Sequence, residues 1–492
     1  MSHAYPGLPP APPPATPVVA TAVVLWRGGP DGREVLLGRR GVERRFAGGF
    51  HAFPGGRLDP EDGQVSVRDA SGEEAALVAC ATRELFEETG VLLARGAETV
   101  SAADRAADRQ ALLDGALLWA DLLARRGLAL DPALLAPAGR WITPDHLPLR
   151  YDARLFLVRM PVGETAEIWP GELSGGGFFR VDDALSRWGR GELLFFPPNL
   201  HALRALAVPG APSALAMKAP PERSRRIEFQ QGFLQCAIRT PTLPPASHTN
   251  AWVVPVTGGV AVVDPGAPEP ADRQPLLELL DDLAAGGRPP REVWITHVHA
   301  DHVGAAAAVA SRYGVPVRAH ALARDRVPGV EIVPLREGDL AGGRFLVLET
   351  PGHAREHLCF LDEVTGALLC GDLVSTLSTI VIDPPEGDMA EYEGQLARMR
   401  ALAPRTLYPA HGPPAPGAVA RLDAYLAHRR EREALVVAAL AGGGTLAQLT
   451  ARSYPDVPPM VHPVAARSCL AVLEKLVRLG RARRDGERWV LV

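Results

Sequence analysis

Four short segments of the chain carry histidines and aspartates whose types and spacing could bind metal ions. The densest is residues 296–302, THVHADH, which directly follows the strand-like residues 292–295, EVWI. The other candidates stand alone, and each follows a short apolar run that also predicts a β-strand. The complete set of candidate ligands is His297, His299, Asp301, His302, His353, Asp372 and His411.

Imidazole nitrogens and carboxylate oxygens are ligands that zinc takes in proteins, usually four to an ion. Seven such residues exceed what one ion needs, so the set predicts a site for two metals. Alternation along an extended chain aims His297 and His299 to the same side, and the turn after them delivers Asp301 and His302 nearby. Because every candidate follows a predicted strand, we expect them all at one edge of the sheets of an α/β domain.

These motifs resemble those of the metallo-β-lactamase superfamily, from about residue 250 to His411. The resemblance implies an αβ/βα four-layer sandwich that holds two Zn²⁺ or Mn²⁺ ions with a hydroxide between them. By that resemblance the first ion is bound by His297, His299 and His353, the second by Asp301, His302 and His411, and Asp372 bridges the two. It also makes Asp301 the candidate catalytic residue, which receives the proton of the attacking water.

The spacing of the motifs limits the branch of the superfamily. His302 and His353 are 51 residues apart, and Asp372 and His411 are 39 apart. This leaves no room for the large inserted domain of the RNA-maturation and DNA-repair nucleases. The segment from residue 428 to Trp489 predicts helices followed by a hairpin at Asp485-Gly486, and it resembles the winged-helix extension of beta-lactamase-like protein 2. That resemblance implies a hydrolase of phosphodiesters such as single-stranded RNA.

Two questions stay open, namely the substrate of the metal site and the role of the positively charged tail. Thioester hydrolases resembling glyoxalase II carry the same seven ligands, so the metal motifs alone do not choose the substrate. From Arg421 onward twelve Arg or Lys face seven Asp or Glu, a local charge of +5. Arg481, Arg483 and Arg484 could therefore contact the phosphates of a nucleic acid, or form a solvated wing of a packing or dimer module.

A second constellation lies earlier in the chain. Residues 83–91, RELFEETGV, place Glu84, Glu87 and Glu88 along one face of a predicted helix, where a hard cation such as Mg²⁺ or Mn²⁺ could take their oxygens. With Phe53-Pro-Gly-Gly upstream, this segment resembles the Nudix box. The resemblance implies a metal-dependent nucleotide pyrophosphatase.

The Nudix-like segment departs from the family pattern in two ways. Gly56 stands 27 residues before Arg83, about twice the usual distance, which indicates an inserted loop. The glutamate expected eight residues before Arg83 is Ala75. Residues 141–144 (WITP) and 152–156 (DARLF) further resemble the coenzyme A diphosphatase branch. An inert box would leave a nucleotide-sensing or packing module. A competing interpretation of the whole chain is a nucleic-acid-binding protein whose winged helix docks nucleic acid and whose inert Nudix module senses a nucleotide.

The elements that must position these residues predict a multidomain α/β protein. Strands at residues 18–26, 35–37 and 154–158 with helices at 73–86 and 109–126 indicate a Nudix-like α/β/α sandwich, followed by the metallo-β-lactamase-like sandwich and a small winged helix. We expect domains at 17–208, 227–427 and 428–492, with a Pro- and Ala-rich linker at 209–226.

Composition agrees with a multidomain chain of 492 residues, of which 47% are apolar and 22% charged. These values exclude a wholly disordered chain and a collagen-like repeat. Five cysteines without a C-x-x-C pair argue against a disulfide framework and a thiolate zinc site. No apolar run reaches membrane-span length, and the proline-rich residues 5–17 do not read as a targeting peptide, so we expect a cytoplasmic protein without a membrane partner. The oligomeric state stays open.

Overall fold

The computed structural model describes residues 13–29, 32–43, 47–169, 171, 173–210, 212–218 and 227–492. The described chain divides into two compact units, one within residues 14–224 together with 229–231 and the other within residues 225–228 and 232–492. The centre of the predicted turn at 29–32, most of the proline-rich start and much of the predicted linker at 209–226 lie outside the described residues. The four predicted domain boundaries therefore stay predictions.

The described residues of the first unit form six strands and five α-helices. The strands are β1 (Val18–Gly29), β2 (Gly32–Arg40), β3 (His51–Ala52), β4 (Ala136–Ile142), β5 (Tyr151–Arg159) and β6 (Leu173–Arg180). The helices are α1 (Gly72–Thr89), α2 (Ala102–Leu113), α3 (Trp119–Arg126), α4 (Val181–Gly189) and α5 (Pro197–Ala207). The strands form one sheet in the order β3-β2-β1-β5-β4, with β6 on β2, and the central pair β1 and β5 is parallel.

Alternating residues of β1 face opposite sides of this sheet, as the pleat requires. Val23 and Leu25 belong to a buried core shared with α1, α2 and α3, whereas Val24 belongs to a second core shared with α4 and α5. Both faces of the sheet are thus covered by helices. The unit is the α/β/α sandwich that the sequence predicted.

The helix predicted at residues 109–126 is wrong in one respect, because the structure has two helices there. The helix α2 ends at Leu113 and α3 begins at Trp119. Gly115 between them has a φ of 68°, in the left-handed region that glycine adopts at little cost and that interrupts a right-handed helix. The apolar residues on both sides of this break hid it from a periodicity argument.

The second unit begins with two sheets. The first contains β7 (Ile227–Gln230), β8 (Phe233–Arg239), β9 (His248–Val256), β10 (Gly259–Val263), β11 (Pro290–Trp294), β12 (Val317–His320) and β13 (Ile332–Leu335), in spatial order of their numbers. The second contains β14 (Leu340–Ala341), β15 (Phe345–Glu349), β16 (Leu358–Asp362), β17 (Ala367–Gly371), β18 (Thr406–Pro409) and β19 (Ala415–Pro416), again in order.

Helices cover the outer face of each sheet. The helices of the sandwich are α6 (Pro270–Ala285), α7 (Ala300–Val303), α8 (Ala306–Tyr313), α9 (Met389–Leu402) and α10 (Ala418–Leu440). Aromatic side chains fill the space between the sheets: Trp294 of β11 stacks on Phe360 of β16, with ring centroids 5.0 Å apart. Phe233 of β8 likewise meets Tyr408 of β18 at 5.1 Å. The result is the αβ/βα four-layer sandwich.

The winged helix closes the second unit. It contains β20 (Gly444–Thr445), α11 (Leu446–Ser453), α12 (His462–Arg478), β21 (Ala482–Asp485) and β22 (Arg488–Leu491), with its strands in the order β20-β22-β21. The helix α10 is continuous through the predicted boundary at 427/428. Buried residues of α12, such as Val472 and Leu473, share one apolar core with α9 and α10. The winged helix is thus packed against the sandwich.

Among the described residues, no helix has both the length and the apolar character that a membrane span requires.

Candidate functional site

The first group of predicted ligands comes together just after β11. His297 and His299 lie in the extended segment that follows this strand, and His353 lies in the turn after β15. His297 Nε2 is 2.9 Å from His299 Nδ1, and His353 Nε2 is 3.1 Å from the same Nδ1 atom. Three ring nitrogens therefore converge on one point, as the predicted first metal site requires.

The second predicted group also converges. Asp301 and His302 lie on the short helix α7, and His411 follows β18. Asp301 Oδ2 is 3.8 Å from His302 Nε2 and 3.5 Å from His411 Nε2. The ligand atoms of these three residues all lie within 4.8 Å of one another.

Asp372, the predicted bridge, follows β17 and faces both groups. Its Oδ2 is 3.6 Å from His353 Nε2 and 3.7 Å from His302 Nε2, and its Oδ1 is 3.4 Å from His411 Nε2. The strand pairs β10–β11 and β17–β18 are parallel, so their carboxyl ends deliver loops to the same edges. All seven predicted residues are brought together, although their separate roles stay predictions.

Hydrogen bonds fix which ring nitrogen faces the centre. In four histidines Nδ1 is engaged on the outer side: His297 with Thr296 Oγ1 (3.0 Å), His302 with Asp264 (2.9 Å), His353 with the Val381 carbonyl (2.9 Å) and His411 with the His248 carbonyl (3.0 Å). A carbonyl only accepts, so Nδ1 of His353 and His411 must donate, which leaves Nε2 with a lone pair for a metal.

Two buried polar atoms at the centre indicate that the residues fit metal ions. Within the described part of the chain, His302 Nε2 and Asp372 Oδ1 are buried and have no hydrogen-bond partner. Buried polar groups are normally satisfied, and a cation bound among these ligands would satisfy both. The donor set of imidazoles and carboxylates suits zinc or manganese.

His297 and His353 of the first group differ in protonation from His302 of the second. Burial holds the pKa of His297 well below its ordinary value and lowers the pKa of His353 to about 4. Burial also lowers the pKa of His302, but the charges of Asp301, Asp264 and Asp372 outweigh it and hold this pKa well above 6.5. His297 and His353 are therefore neutral and ready to bind a cation, whereas His302 carries a proton that a cation must displace.

Asp264 is a functional residue that the sequence argument missed. It follows β10 directly, is 2% exposed, and accepts hydrogen bonds from both the amide and the hydroxyl of Thr296 (2.8 and 2.7 Å). The same carboxylate lies 2.9 Å from His302 Nδ1, the arrangement by which a carboxylate orients a metal-binding histidine. Its position after a strand was the signal that could have revealed it.

His357 is the second residue that was missed. Its Nε2 accepts a hydrogen bond from the amide of Asp372 (3.1 Å), and its Nδ1 lies 2.7 Å from Thr350 Oγ1. Burial lowers the pKa of His357 to about 3, so the ring is neutral and can accept that bond. His357 thus fixes the backbone at Asp372, and its spacing of four residues after His353 was the available signal.

A cavity of about 740 Å³ lies between residues 351–391 of the sandwich and residues 474–489 of the winged helix. It borders the metal-ligand cluster through Glu386, whose Oε2 is 3.7 Å from His299 Nε2. Its charged lining has more carboxylates than guanidinium groups: Glu386, Asp388, Glu391 and Glu474 against Arg355, Arg478 and Arg484. The net formal charge of this lining is therefore negative.

The three predicted nucleic-acid contacts lie close together at the end of α12 and on β21. Arg481 Nη1 is 3.0 Å from Glu433 of α10. Arg483 lies 3.6 Å from Asp485, and Arg484 donates a hydrogen bond to the Gly486 carbonyl over the ring of Trp489. The structure thus places Arg481 and Arg483 in ion pairs within the second unit, while Arg484 also lines the cavity.

The predicted Nudix carboxylates lie on the last turns of α1, but they do not meet at one point. Arg83 Nη1 is 3.0 Å from Glu84 and 3.2 Å from Glu87, whereas Glu88 accepts a hydrogen bond from the amide of Gly55 (2.8 Å). A Cβ on Gly56 would lie 2.3 Å from Glu84 Oε1, which explains the glycine at this position. Burial raises the pKa of Glu87, and the charge of Arg83 opposes that shift.

The carboxylate that was expected at Ala75 is supplied by Asp62, which lies before the inserted loop. Asp62, which is 1% exposed, binds Arg83 through both oxygens, each at 2.9 Å. Asp62 stands six residues after Gly56, so counting forward from the glycines would have found it. The insertion therefore lies between Asp62 and α1, and Arg83 keeps a buried carboxylate partner.

Three family models match the chain. The Metallo-beta-lactamase superfamily matches residues 244–411, the Beta-lactamase associated winged helix domain matches 445–489, and the NUDIX domain matches 16–184. The three matches follow the order that the sequence motifs predicted.

Curated relatives are similar to the second unit. A Beta-lactamase-like protein 2 homolog from Caenorhabditis elegans is 27% identical over 47% of this chain and 79% of its own length. The Lactamase-like protein vrtG from Penicillium aethiopicum is 30% identical over 43% of this chain and 69% of its own. A Hydroxyacylglutathione hydrolase from Acidiphilium cryptum is 32% identical over 34% of this chain and 64% of its own. The chain belongs to the metallo-β-lactamase superfamily and joins that fold to a Nudix domain and a winged helix.

Proposed function

We propose that the second unit is a binuclear metal hydrolase. The observation that carries the proposal is the convergence of two ligand groups on either side of Asp372, which lies within 3.7 Å of ring nitrogens from both. When bound, two divalent ions such as Zn²⁺ or Mn²⁺ would supply a nucleophilic hydroxide at neutral pH and polarise the substrate.

The chain's own residues prepare the site for that chemistry. Burial raises the pKa of Asp301, but His302 and His411 outweigh it and lower this pKa to about 2, so Asp301 is a carboxylate at neutral pH. We propose that its Oδ2, which lies 3.5 Å from His411 Nε2, accepts the proton of the attacking water. Asp264 and His357 hold His302 and Asp372 in place.

We infer that the substrate is a small ester or thioester rather than an RNA chain. A polyphosphate chain needs an uncompensated positive surface. Here the cavity beside the metal ligands has a net negative lining, and Arg481 is paired with Glu433. The similarity to a Hydroxyacylglutathione hydrolase supports the thioester interpretation, while the similarity to a Beta-lactamase-like protein 2 homolog keeps RNA as the competing substrate.

The test compares an acyl thioester with a single-stranded RNA oligonucleotide, using the full chain loaded with Zn²⁺ or Mn²⁺. We expect thioester turnover, and we expect Asp372→Ala to reduce it by more than about 100-fold together with the metal content, since even residues that only support a ligand typically cost 10–100-fold. Asp423→Ala, which removes an exposed ion pair with Arg400, is the matched control and should keep full activity. RNA cleavage that Asp372→Ala abolishes would overturn the small-substrate proposal.

A second function belongs to the first unit, because Arg83 and Asp62 hold the carboxylate-bearing end of α1 in a fixed arrangement. We propose that Glu84, Glu87 and Glu88 bind Mg²⁺ or Mn²⁺ and that the unit hydrolyses a nucleotide pyrophosphate link. The pKa of Glu87, raised by burial, suits a group that exchanges protons.

Changing Glu87 and Glu88 together to Gln should abolish Mg²⁺-dependent hydrolysis of coenzyme A and leave the thioester activity of the second unit intact. Phosphate-ester products measured by chromatography would report the first activity. If the unaltered protein cleaves neither coenzyme A nor another nucleotide pyrophosphate, the first unit is a binding or packing module and this second function is wrong.

A further inference from the structure

The loop between β17 and α9, residues 380–388, contacts the metal-ligand cluster on one side. The Val381 carbonyl accepts the hydrogen bond of His353 Nδ1 at 2.9 Å. Five residues later, Glu386 places its carboxylate 3.7 Å from His299 Nε2. Because the outer hydrogen bond of a metal-binding histidine fixes its tautomer and ring orientation, this loop decides how His353 presents Nε2.

On its other side the same loop is held by the winged helix. Ser468 Oγ of α12 accepts a hydrogen bond from the Ile382 amide at 3.2 Å. Arg467 forms an ion pair with Asp383 and donates to the Pro384 carbonyl at 2.6 Å. Arg478, at the end of α12, pairs with Asp388. The loop has no regular secondary structure of its own, so these contacts take the place of a strand or helix ladder.

We propose that the winged helix serves as a positioning module for the metal centre, with Arg467 and Ser468 acting through loop 380–388 on His353. This inference rests on the proposed metal hydrolase and assigns the third domain a task within it. The chain of contacts is short: α12 holds Ile382 and Asp383, Val381 is the adjacent residue, and its carbonyl orients the ligand. Arg467 and Ser468 are positioning residues, because they touch neither the metal ligands nor the proposed substrate.

The packing of α12 makes this support rigid. Ser468, Cys469 and Val472 are buried, and the apolar core around α12 also contains Ile380 and Ile382 of the loop itself. A hydrophobic contact and a set of hydrogen bonds therefore restrain the same segment. A domain whose only task was to contact nucleic acid would not need to bury residues of this loop.

The experiment measures metal affinity without any substrate. Full-length protein carrying Arg467→Ala and Ser468→Ala is freed of metal and titrated with Zn²⁺ against a chromophoric chelator. We expect the affinity of the ion bound by the group of His353 to fall about 10–100-fold, the usual cost of removing an outer support of a metal ligand. Arg452→Ala, on the same domain but bonded to the Gly443 and Gln448 carbonyls, is the matched control and should bind Zn²⁺ normally.

Hydrogen exchange of the metal-free proteins provides the second readout. The Ile382 amide should exchange faster in the double variant than in the unaltered protein, and Arg467→Lys should restore part of both losses. Unchanged zinc affinity with unchanged exchange would overturn the positioning role while leaving the proposed hydrolase intact. Normal metal binding by the unaltered protein without thioester turnover would instead overturn the proposed substrate and leave the positioning role standing.

Discussion

At the scale of single residues, the candidate metal centre combines carboxylates and histidines whose charges attract one another when no cation is present. Three carboxylates surround His302, and two of them also contact His411. Burial alone would make all of these groups neutral, but mutual attraction keeps His302 protonated and Asp372 ionised. Without a metal, the proton on His302 therefore supplies positive charge where a bound metal ion would supply it.

This arrangement predicts a pH-dependent metal affinity. A raised histidine pKa stabilises the metal-free fold below the unfolded value of 6.5, and this contribution is lost as the pH rises through the folded pKa. Metal binding needs the neutral ring, so it should release a proton and strengthen with pH, by up to about tenfold per pH unit for each proton displaced.

Calorimetric titrations with Zn²⁺ at pH 6 and pH 8, each in two buffers of different ionisation enthalpy, measure the proton release directly. His201 on α5 of the first unit, which is not among the predicted metal ligands, offers a His→Gln control that should leave the release unchanged. A zinc affinity that is equal at both pH values, with no proton released, would contradict the raised pKa of His302.

At the scale of elements, one inserted loop decides how the Nudix helix is held. The short stretch after Gly56 returns Asp62 to α1, where it forms a two-oxygen ion pair with Arg83. Both side chains are at most 10% exposed. Removing Asp62 would leave the buried guanidinium of Arg83 without its two-oxygen ion pair.

Asp62→Ala should therefore destabilise the first unit by about 3–5 kcal/mol, the usual cost of breaking a buried ion pair. Chemical unfolding followed by tryptophan fluorescence would measure the change in the free energy of unfolding. The matched control is Asp183→Ala, whose carboxylate lies 4.0 Å from Arg187 with half of its side chain exposed, and which should cost less than about 1 kcal/mol. Equal effects of the two changes would show that the buried pair is not what stabilises α1.

At the scale of the whole molecule, the positive charge of the tail is partly offset by carboxylates of the domain that it packs against. Lys475 pairs with Glu393 and Glu433, Arg478 with Asp388, and Arg467 with Asp383. Three carboxylates of the sandwich, Asp383, Asp388 and Glu393, thus offset three of the five excess charges counted along the sequence, and these ion pairs attach the winged helix to the sandwich.

Changing Arg481, Arg483 and Arg484 together to Ala should consequently leave the affinity for single-stranded RNA and its salt dependence unchanged. Filter binding at several salt concentrations would measure both. A weaker affinity, with a log–log salt slope reduced by about 0.7 for each lost phosphate contact, would instead support the tail as an RNA-binding surface and the RNA interpretation of the second unit.

The sequence by itself predicted the three-part α/β architecture and all seven residues that converge around Asp372. It could do so because each ligand motif begins after a strand, and strand periodicity and the residues after it are local properties of the chain. It also placed Glu84, Glu87 and Glu88 on one helix face, which helical periodicity alone determines.

Only the tertiary structure decided which distant groups support these residues. The partner of Arg83 comes from across an inserted loop, and the bond between Arg467 and Asp383 joins residues 84 positions apart. Loops of such lengths close at little extra entropic cost, so neither spacing nor composition selects the partner. The tail's charges showed this most clearly, because their number is a property of the sequence, whereas the carboxylates that pair with them are chosen by packing.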